Sequence, residues 1–218
     1  MRMTSLALAV VLSVSPVLAK ACDTALVLTI DVSNSVDVAE YRLQVDGLAD
    51  ALSDPEIRDT MVATGTTVAV VQWSGEDKQV VSIPWTEVRS ALDVVWLAEQ
   101  ARQLERAFVL SDTAPAEAIY FSLSLFDEVQ HCNRRVIDIS GDGTPNGGSD
   151  VRLARNAAER QGVTINGIAI EAMGLAITNF YSSSVITRDG FVMTARTHRE
   201  YPATLRAKIL REISRIFG

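Results

Sequence analysis

The sequence has 218 residues, a length that suits a single α/β domain with a sizeable core. Its 27 Asp and Glu residues outnumber its 20 Lys and Arg residues. This acidic balance argues against nucleic acid as a partner, because phosphate binding needs clustered basic side chains. With only two histidines, His131 and His198, zinc sites and catalytic triads are not expected, and both histidines are interpreted as surface or structural residues.

The first predicted element is a secretory signal peptide over residues 1–21. A basic residue precedes an apolar run from Leu6 to Leu18, and a short cleavage region ends at Ala21. A lipoprotein signal with the lipid on Cys22 is the rival, although the two residues before Ala21 are poor matches to that pattern. Removing the leader takes away two basic residues, so residues 22–218 keep 18 basic and 27 acidic side chains, a formal charge of −9. The mature protein is expected to be secreted, in the periplasm, without an integral membrane segment, since no later window of about twenty residues is free of charges.

Strand-like and helix-like segments alternate along the mature chain. Short apolar runs rich in β-branched residues predict strands, and apolar residues at three- and four-residue spacings predict helices. In chain order the predicted elements are strand Ala25–Ile30, helix Val38–Leu52, strands Thr66–Trp73 and Gln79–Ile83, helices Glu87–Leu104 and Pro115–Phe126, strand Arg135–Ile139, helix Val151–Arg160, strands Val163–Ile170 and Gly190–Thr194, and helix Tyr201–Phe217.

This alternation predicts a doubly wound, mostly parallel six-stranded sheet with helices on both faces. The second and third strands are joined by a short charged turn that begins at Ser74, which indicates a hairpin and one antiparallel edge strand. The last helix carries an apolar stripe that is expected to pack on the sheet, with a membrane-surface role as the alternative. Functional side chains are expected in the loops at the carboxyl ends of the strands. The stripe consists of Leu205, Ile209, Ile213 and Ile216.

Oxygen-bearing side chains follow the first strand in the segment "DVSNS". Asp31, Ser33 and Ser35 are hard ligands that suit Mg²⁺ or Ca²⁺ better than zinc. The alternative is that Ser33, Ser35 or the intervening Asn34 caps the following helix, and these residues alone leave both interpretations open. Further oxygen donors come from two other loops: Thr113 in "LSDTAPAEA" and Asp142 in "GDGTPN".

The acidic residues also suggest two other kinds of site, which the rest of the pattern does not favour. The segment from Asp138 to Ser149 partly imitates an EF-hand calcium loop, but Ser149 replaces the terminal glutamate and the preceding residues are strand-like. Asp31 could also act as a phosphatase nucleophile, but the second aspartate expected two residues later is Ser33. The chain also lacks a G-x-S-x-G elbow and a phosphate-binding G-x-x-x-x-G-K-[ST] loop.

Taken together, these segments resemble a von Willebrand factor type A domain, over nearly the whole mature chain. The metal-ion-dependent adhesion site (MIDAS) of that family combines an Asp-x-Ser-x-Ser motif, a threonine from a second loop and an Asp-Gly after the fourth strand. The matching residues are Asp31, Ser33, Ser35, Thr113 and Asp142. The segments "EYRLQVDGLADAL", "VVQWSG", "RRVIDISGDG" and "GVTINGIAI" further resemble a secreted bacterial branch of unassigned function.

The resemblance implies a protein-binding module rather than an enzyme. It implies one Mg²⁺ ion, with Mn²⁺ or Ca²⁺ as alternatives, coordinated directly by Ser33, Ser35 and Thr113 and through waters by Asp31 and Asp142. An Asp or Glu of a protein partner would complete the coordination, in an adhesion or assembly role. The alternatives are a metal-dependent phosphoryl-transfer hydrolase that uses Asp31, and a structural domain with a vestigial site.

The two cysteines, Cys22 and Cys132, are expected to pair in an oxidising compartment, with two unpaired buried thiols as the alternative. In the fold that the resemblance implies, the first and fourth strands are parallel neighbours. Cys22 precedes Asp31 by nine residues and Cys132 precedes Asp142 by ten, so a disulfide would bring both aspartates to the same height. Asp138 would break this match and is expected to lie within the strand.

Overall fold

The computed structural model describes residues 21–214, and the structural statements below concern that part of the chain. The strands are β1 Thr24–Asp31, β2 Thr66–Trp73, β3 Gln79–Glu87, β4 Arg134–Gly141, β5 Thr164–Ile170 and β6 Val192–Ala195. The helices are α1 Val38–Ser53, α2 Pro55–Thr64, α3 Ala91–Arg102, α4 Pro115–Leu125, α5 Val151–Arg160, α6 Ala176–Phe180 and α7 Tyr201–Ile213.

The six strands form one sheet in the order β3-β2-β1-β4-β5-β6, in which only β3, at one edge, is antiparallel to its neighbour. Helices α1, α2, α3 and α7 cover one face, and α4, α5 and α6 cover the other. Every residue of β1 is buried, as expected for a central parallel strand with both faces covered. The predicted doubly wound fold with one antiparallel edge strand is therefore confirmed.

In the first half of the chain, one helix was not predicted and the boundary between β3 and α3 was predicted wrongly. Helix α2 was not predicted; it begins at Pro55, directly after its cap Asp54, and follows α1 without a loop. Strand β3 runs past Pro84 to Glu87, and α3 begins only at Ala91. Proline just ahead of a polar and apolar pattern predicts a helix start, but an edge strand also tolerates proline because one side of its backbone has no strand partner.

The second half of the chain differs from the prediction in several places, including β6, which runs from Val192 to Ala195 and not from Gly190 to Thr194. Strand β4 continues through Gly141. Helix α6 and the turn of π-helix that follows it were not predicted. Helix α7 ends at Ile213, and the predicted stripe residue Ile216 lies outside the described residues, as does the predicted signal peptide except for Ala21. Among the described residues, the helices are all too short or too polar to cross a bilayer.

The apolar stripe of α7 packs on the sheet as expected, but charged residues are buried beside it. Lys208 and Glu212 have no exposed surface to speak of, and the Lys208 amine lies 2.6 Å from Asp138 Oδ1 and 2.5 Å from Glu212 Oε1. Asn166 Nδ2 donates a hydrogen bond of 2.8 Å to Glu212 Oε1. Burial, followed by the charge of Asp138, raises the pKa of Glu212 to about 8. Helix α7 therefore contributes a buried ion network as well as apolar surface.

A disulfide joins Cys22 to Cys132, which confirms the predicted pairing and rules out two unpaired thiols. It also leaves Cys22 without a thiol for a lipid. The bridge lies at the start of two paired strands, where Thr24 of β1 is level with Arg134 of β4. The same residue offset of 110 separates the cysteines and the paired strand residues, so the bridge and the sheet share one register.

Candidate metal site

Side chains from three separate loops converge at the carboxyl ends of β1 and β4. Ser33 Oγ lies 3.1 Å from Ser35 Oγ, and Ser35 Oγ donates a hydrogen bond of 2.5 Å to Asp142 Oδ1. The last pair of the β1–β4 ladder is Ile30 with Ser140, so Asp142 lies one residue further along the strand direction than Asp31. The predicted equality of height is thus wrong by a single residue, because the cysteine and strand offsets are identical.

Gly141, the residue before Asp142, lies against the Asp31 carboxylate. A Cβ atom on this residue would lie 2.6 Å from Tyr181 Oη and 2.9 Å from Asp31 Oδ2, closer than real Cβ contacts allow. The absence of a side chain at this position therefore lets the Asp31 carboxylate occupy the end of β1. Ser140 and Gly141 are the last residues of β4, and Ser140 Oγ donates a hydrogen bond of 2.7 Å to the carbonyl of Thr29.

The Asp31 carboxylate is fully buried and only half satisfied. Its Oδ1 accepts a hydrogen bond of 2.7 Å from the Ser33 amide, whereas Oδ2 has no hydrogen-bond partner among residues 21–214. Burial, together with the negative charge of Asp142, raises the pKa of Asp31 to about 7. A buried carboxylate oxygen without a partner is costly, and a cation at this position would both pair with it and favour its charged form. The residues present therefore fit a hard divalent ion.

Thr113 is buried and held by reciprocal hydrogen bonds to the third loop. Its amide donates a hydrogen bond of 2.7 Å to Asn146 Oδ1, and the Asn146 amide donates one of 3.1 Å to the Thr113 carbonyl. A Cβ atom on Gly143 would lie 3.8 Å from Thr113 Oγ1, so the threonine hydroxyl lies beside the residue after Asp142. Asn146 was not predicted, because its role depends on a backbone partner 33 residues away.

The segment before α4 is also fastened to the other two strand ends. Ser74 Oγ donates a hydrogen bond of 2.9 Å to the Asp112 carbonyl, and the Ala114 amide donates one of 2.8 Å to the Ser74 carbonyl. The amide of Asn34 donates a hydrogen bond of 2.9 Å to the carbonyl of Ser111. These bonds bring the segment that contains Thr113 to the first loop, which the sequence alone could not establish.

Arg106 holds the loop that follows β1 by hydrogen bonds to its backbone. Its Nη2 atom donates hydrogen bonds of 2.9 Å to the Val32 carbonyl and 2.8 Å to the Ser33 carbonyl. Sequence reasoning missed Arg106, since an arginine between α3 and α4 has no local pattern that points to carbonyl groups 73 residues earlier. The backbone of Ser33 is therefore fixed by the Asp31 carboxylate on one side and a guanidinium on the other.

The structure decides two of the alternative interpretations. Helix α1 is capped by Asp37 in a reciprocal capping box with Glu40, so the interpretation of Ser33, Asn34 or Ser35 as the cap was wrong. The EF-hand interpretation was also wrong, because Asp138 lies within β4 and faces the Lys208 amine. All five predicted ligand residues lie in or beside the loops that converge here; their coordination of an ion, directly or through waters, stays a prediction.

Comparisons with known proteins agree with this architecture. A family model described as "Protein of unknown function (DUF1194)" matches residues 21–217. No curated protein matches the chain.

Several solved structures share the fold. Proximal thread matrix protein 1 from the mussel byssus has a TM-score of 0.66 at 16% identity over 88% of this chain and 49% of that chain. The same mussel protein has been solved with a zinc occupied MIDAS motif, at a TM-score of 0.64. The von Willebrand factor type A structure from Catenulispora acidiphila scores 0.62 at 14% identity over 88% of this chain and 43% of that one.

The vWF domain of the type V pili tip protein Mfa5 from Porphyromonas gingivalis has a TM-score of 0.61 at 11% identity, over 90% of this chain and 98% of that domain. The chain spans about half the length of the mussel protein. At these identities the likeness shows a shared fold, which agrees with the strand order and the edge strand β3 described above.

Proposed function

Because the chain belongs to the family described as "Protein of unknown function (DUF1194)" and has the fold of a von Willebrand factor type A domain, we propose that it is a metal-dependent protein-binding module. In this proposal Asp31, Ser33, Ser35, Thr113 and Asp142 hold one divalent cation, with Mg²⁺ as the expected ion and Mn²⁺ or Ca²⁺ as alternatives. A carboxylate of a partner protein occupies the remaining open position.

One observation carries this proposal: the buried Asp31 carboxylate leaves Oδ2 without a partner, within the described residues, at the point where three oxygen-rich loops meet. Hydroxyl and carboxylate oxygens are the ligands that hard divalent cations prefer. The hydrogen bonds from Ser35 to Asp142 and from the Ser33 amide to Asp31 place these donors before an ion arrives. This arrangement supports a site that is formed before an ion binds.

The chemistry of the partner follows from the charges of the ligands. Two carboxylates only balance the charge of one divalent ion, and three hydroxyl ligands add no negative charge, so the bound ion keeps an electrophilic open position that an Asp or Glu of the partner can fill. Attraction at contact distance outweighs the net negative charge of the protein, whose long-range field is screened by salt within about 10 Å. The partner is therefore expected to present an acidic residue.

Two features support a secreted role in adhesion or assembly. The disulfide between Cys22 and Cys132 suits an oxidising compartment, which agrees with the predicted export to the periplasm. The structural relatives include a thread matrix protein of the mussel byssus and a pili tip protein. The burial of Asp31 supports binding over a hydrolase in which this carboxylate would attack phosphorus, because an attacking oxygen needs access to its substrate.

The metal dependence is tested by thermal unfolding of chelator-treated protein. Millimolar Mg²⁺ or Mn²⁺ is expected to raise the melting temperature of the wild type, because an ion that binds only the folded state stabilises it. Asp31→Ala should abolish the rise. Glu128→Ala, which removes an exposed carboxylate near the opposite end of the sheet, should leave it unchanged. An unchanged melting temperature in the wild type would contradict the proposal.

The partner is sought by capture from periplasmic extract on the immobilised protein. A protein retained in Mg²⁺, released by chelator and not retained by Asp31→Ala is the expected result. Turnover of phosphate esters by the wild type, absent in Asp31→Ala, would instead identify a metal-dependent hydrolase. A site that binds no ion at all would identify a structural domain with a vestigial site.

A further inference from the structure

A second group of metal-binding side chains lies on the other side of Asp142. Glu40 in α1, Asp142 in the β4–α5 loop and His198 ahead of α7 each offer a ligand atom, and the three atoms lie within 4.8 Å of one another. None of these elements is adjacent in sequence to another. Glu40 and His198 were not among the predicted site residues, because neither belongs to the three motif segments.

The His198 ring is held between two carboxylates. Its Nδ1 lies 3.0 Å from Glu40 Oε1, and its Nε2 lies 3.8 Å from Asp142 Oδ2. Only 11% of the His198 side chain is exposed, and Nε2 is buried without a hydrogen-bond partner in the part of the chain that is described. Glu40 is itself fixed, since its Oε2 accepts a hydrogen bond from the Asp37 amide in the capping box.

These distances distinguish the two ring nitrogens. The Nδ1 atom lies 3.0 Å from Glu40 Oε1, within hydrogen-bonding distance, whereas Nε2 has no hydrogen-bond partner among the described residues. The 3.8 Å separation is too long for a hydrogen bond. It is the spacing expected across a shared ion, because bond lengths of about 2.0 to 2.2 Å place two ligand atoms of one zinc ion roughly 3 to 4 Å apart.

We propose that His198 Nε2 and Asp142 Oδ2 form a second cation position, selective for a transition metal such as Zn²⁺, and that Glu40 orients the histidine through Nδ1. A histidine that ligates zinc usually donates its other ring N–H to a carboxylate in this way. The nitrogen ligand suits Zn²⁺ and not Mg²⁺, so the two positions differ in ion preference. The inference rests on the proposed function, because the Asp142 carboxylate is shared: Oδ1 faces Ser35 and Oδ2 faces His198.

Zinc calorimetry in saturating Mg²⁺ tests the second position separately from the first. Wild-type protein is expected to bind Zn²⁺, His198→Ala and the closer isostere His198→Gln to lose at least about tenfold in affinity, and Glu40→Gln to lose about 10- to 100-fold. The rise in melting temperature with Mg²⁺ should persist in both His198 variants, which also shows that they fold. Asp31→Ala should lose the Mg²⁺ response and keep Zn²⁺ binding.

The nitrogen ligand has a spectroscopic signature. Cu²⁺ bound to the wild type should show electron paramagnetic resonance coupling to one imidazole nitrogen. The coupling should vanish in His198→Ala and remain in His131→Ala, which removes the histidine beside the disulfide. Unaltered Zn²⁺ affinity or Cu²⁺ coupling in His198→Ala would overturn the inference, and His198 would then be a counter-ion between two carboxylates. Loss of the Mg²⁺ response in the wild type would instead contradict the proposed function.

Discussion

Glu212 and Lys208 place two charged groups in the interior of the molecule, against Asp138 of the central sheet. Burying charges is costly unless they are paired, and here one amine faces two carboxylates. The excess of negative charge is relieved if one carboxyl keeps its proton. This is the physical reason for the pKa of about 8 at Glu212, which burial and then Asp138 raise, against the opposing effect of Lys208.

Glu212→Gln should therefore change the pH dependence of stability. The folded-state pKa of Glu212 is raised from 4.5 to about 8, so its contribution to stability is fully present below about 4.5 and is lost as the pH rises towards 8. Glutamine has nearly the same shape as the protonated glutamate side chain but does not titrate. Between pH 5 and 8 the unfolding free energy of the wild type should fall relative to that of the variant, by at most about 1.4 kcal/mol per pH unit.

Denaturant unfolding of both proteins across this pH range, in chelator, measures the difference. A difference that stays constant from pH 5 to 8 would show that Glu212 is ionised in the folded protein throughout. Glu128→Gln, at an exposed position, is the matched control and should run parallel to the wild type.

Strands β1 and β4 are joined twice, by their hydrogen-bonded ladder and by the disulfide at their start. The bridge closes a loop of 110 residues, so it removes many conformations from the unfolded chain. The double variant Cys22→Ser with Cys132→Ser should lose about 2 to 5 kcal/mol of unfolding free energy. Its rise in melting temperature with Mg²⁺ should remain, because the metal ligands lie at the opposite ends of the same strands.

Denaturant unfolding and the Mg²⁺ response of the double variant give the two readouts. Loss of the Mg²⁺ response in a variant that still unfolds cooperatively would show that the bridge, and not the loop hydrogen bonds, positions the ligands.

The elements that the sequence predicted best have clear local limits. Strand Thr66–Trp73 and helix Val151–Arg160 were predicted with the observed bounds, the first as a β-branched run and the second between the loop after β4 and Gly162. The boundary between β3 and α3 was predicted wrongly, because a proline such as Pro84 occurs both near the start of a helix and in an edge strand. Local pattern alone could not separate the two.

The site divides in the same way. Asp31, Ser33 and Ser35 could be identified because they form one compact motif at a strand end. Arg106 and Asn146 could not, because they bind backbone groups far away in sequence, and such contacts exist only once the fold has formed.

At the scale of the whole molecule, four of the exposed apolar side chains lie in loops at the end of the sheet that carries the proposed site. Val109 and Leu110 lie in the α3–α4 segment, next to Ser111, which accepts a hydrogen bond from Asn34. Met173 and Leu175 follow the carboxyl end of β5 and are likewise exposed. If the proposed function holds, these exposed residues are candidates for apolar contact with a partner whose acidic residue binds the ion. Leu110 also has a φ of 51°, an uncommon conformation for leucine that is typical of functional loops.

Leu110→Asp should weaken metal-dependent capture of a partner protein at least about tenfold, through lost apolar contact and repulsion from an acidic ligand. Leu92→Asp is the matched control: Leu92 is 78% exposed and Leu110 84%, but Leu92 lies at the start of α3, away from the site. Both variants should keep the Mg²⁺ response, and binding is measured with the captured partner. Equal weakening by the two variants would place the contact surface elsewhere.

The disulfide and the proposed metal ligands lie at opposite ends of β1, roughly 30 Å apart for the nine residues from Cys22 to Asp31. A pull by a partner held at the proposed ion would act on β1 and β4 together, because Asp31 and Asp142 lie at the carboxyl ends of these two strands. The disulfide joins the other ends of the same strands covalently, so the strands could not slide past each other at their start.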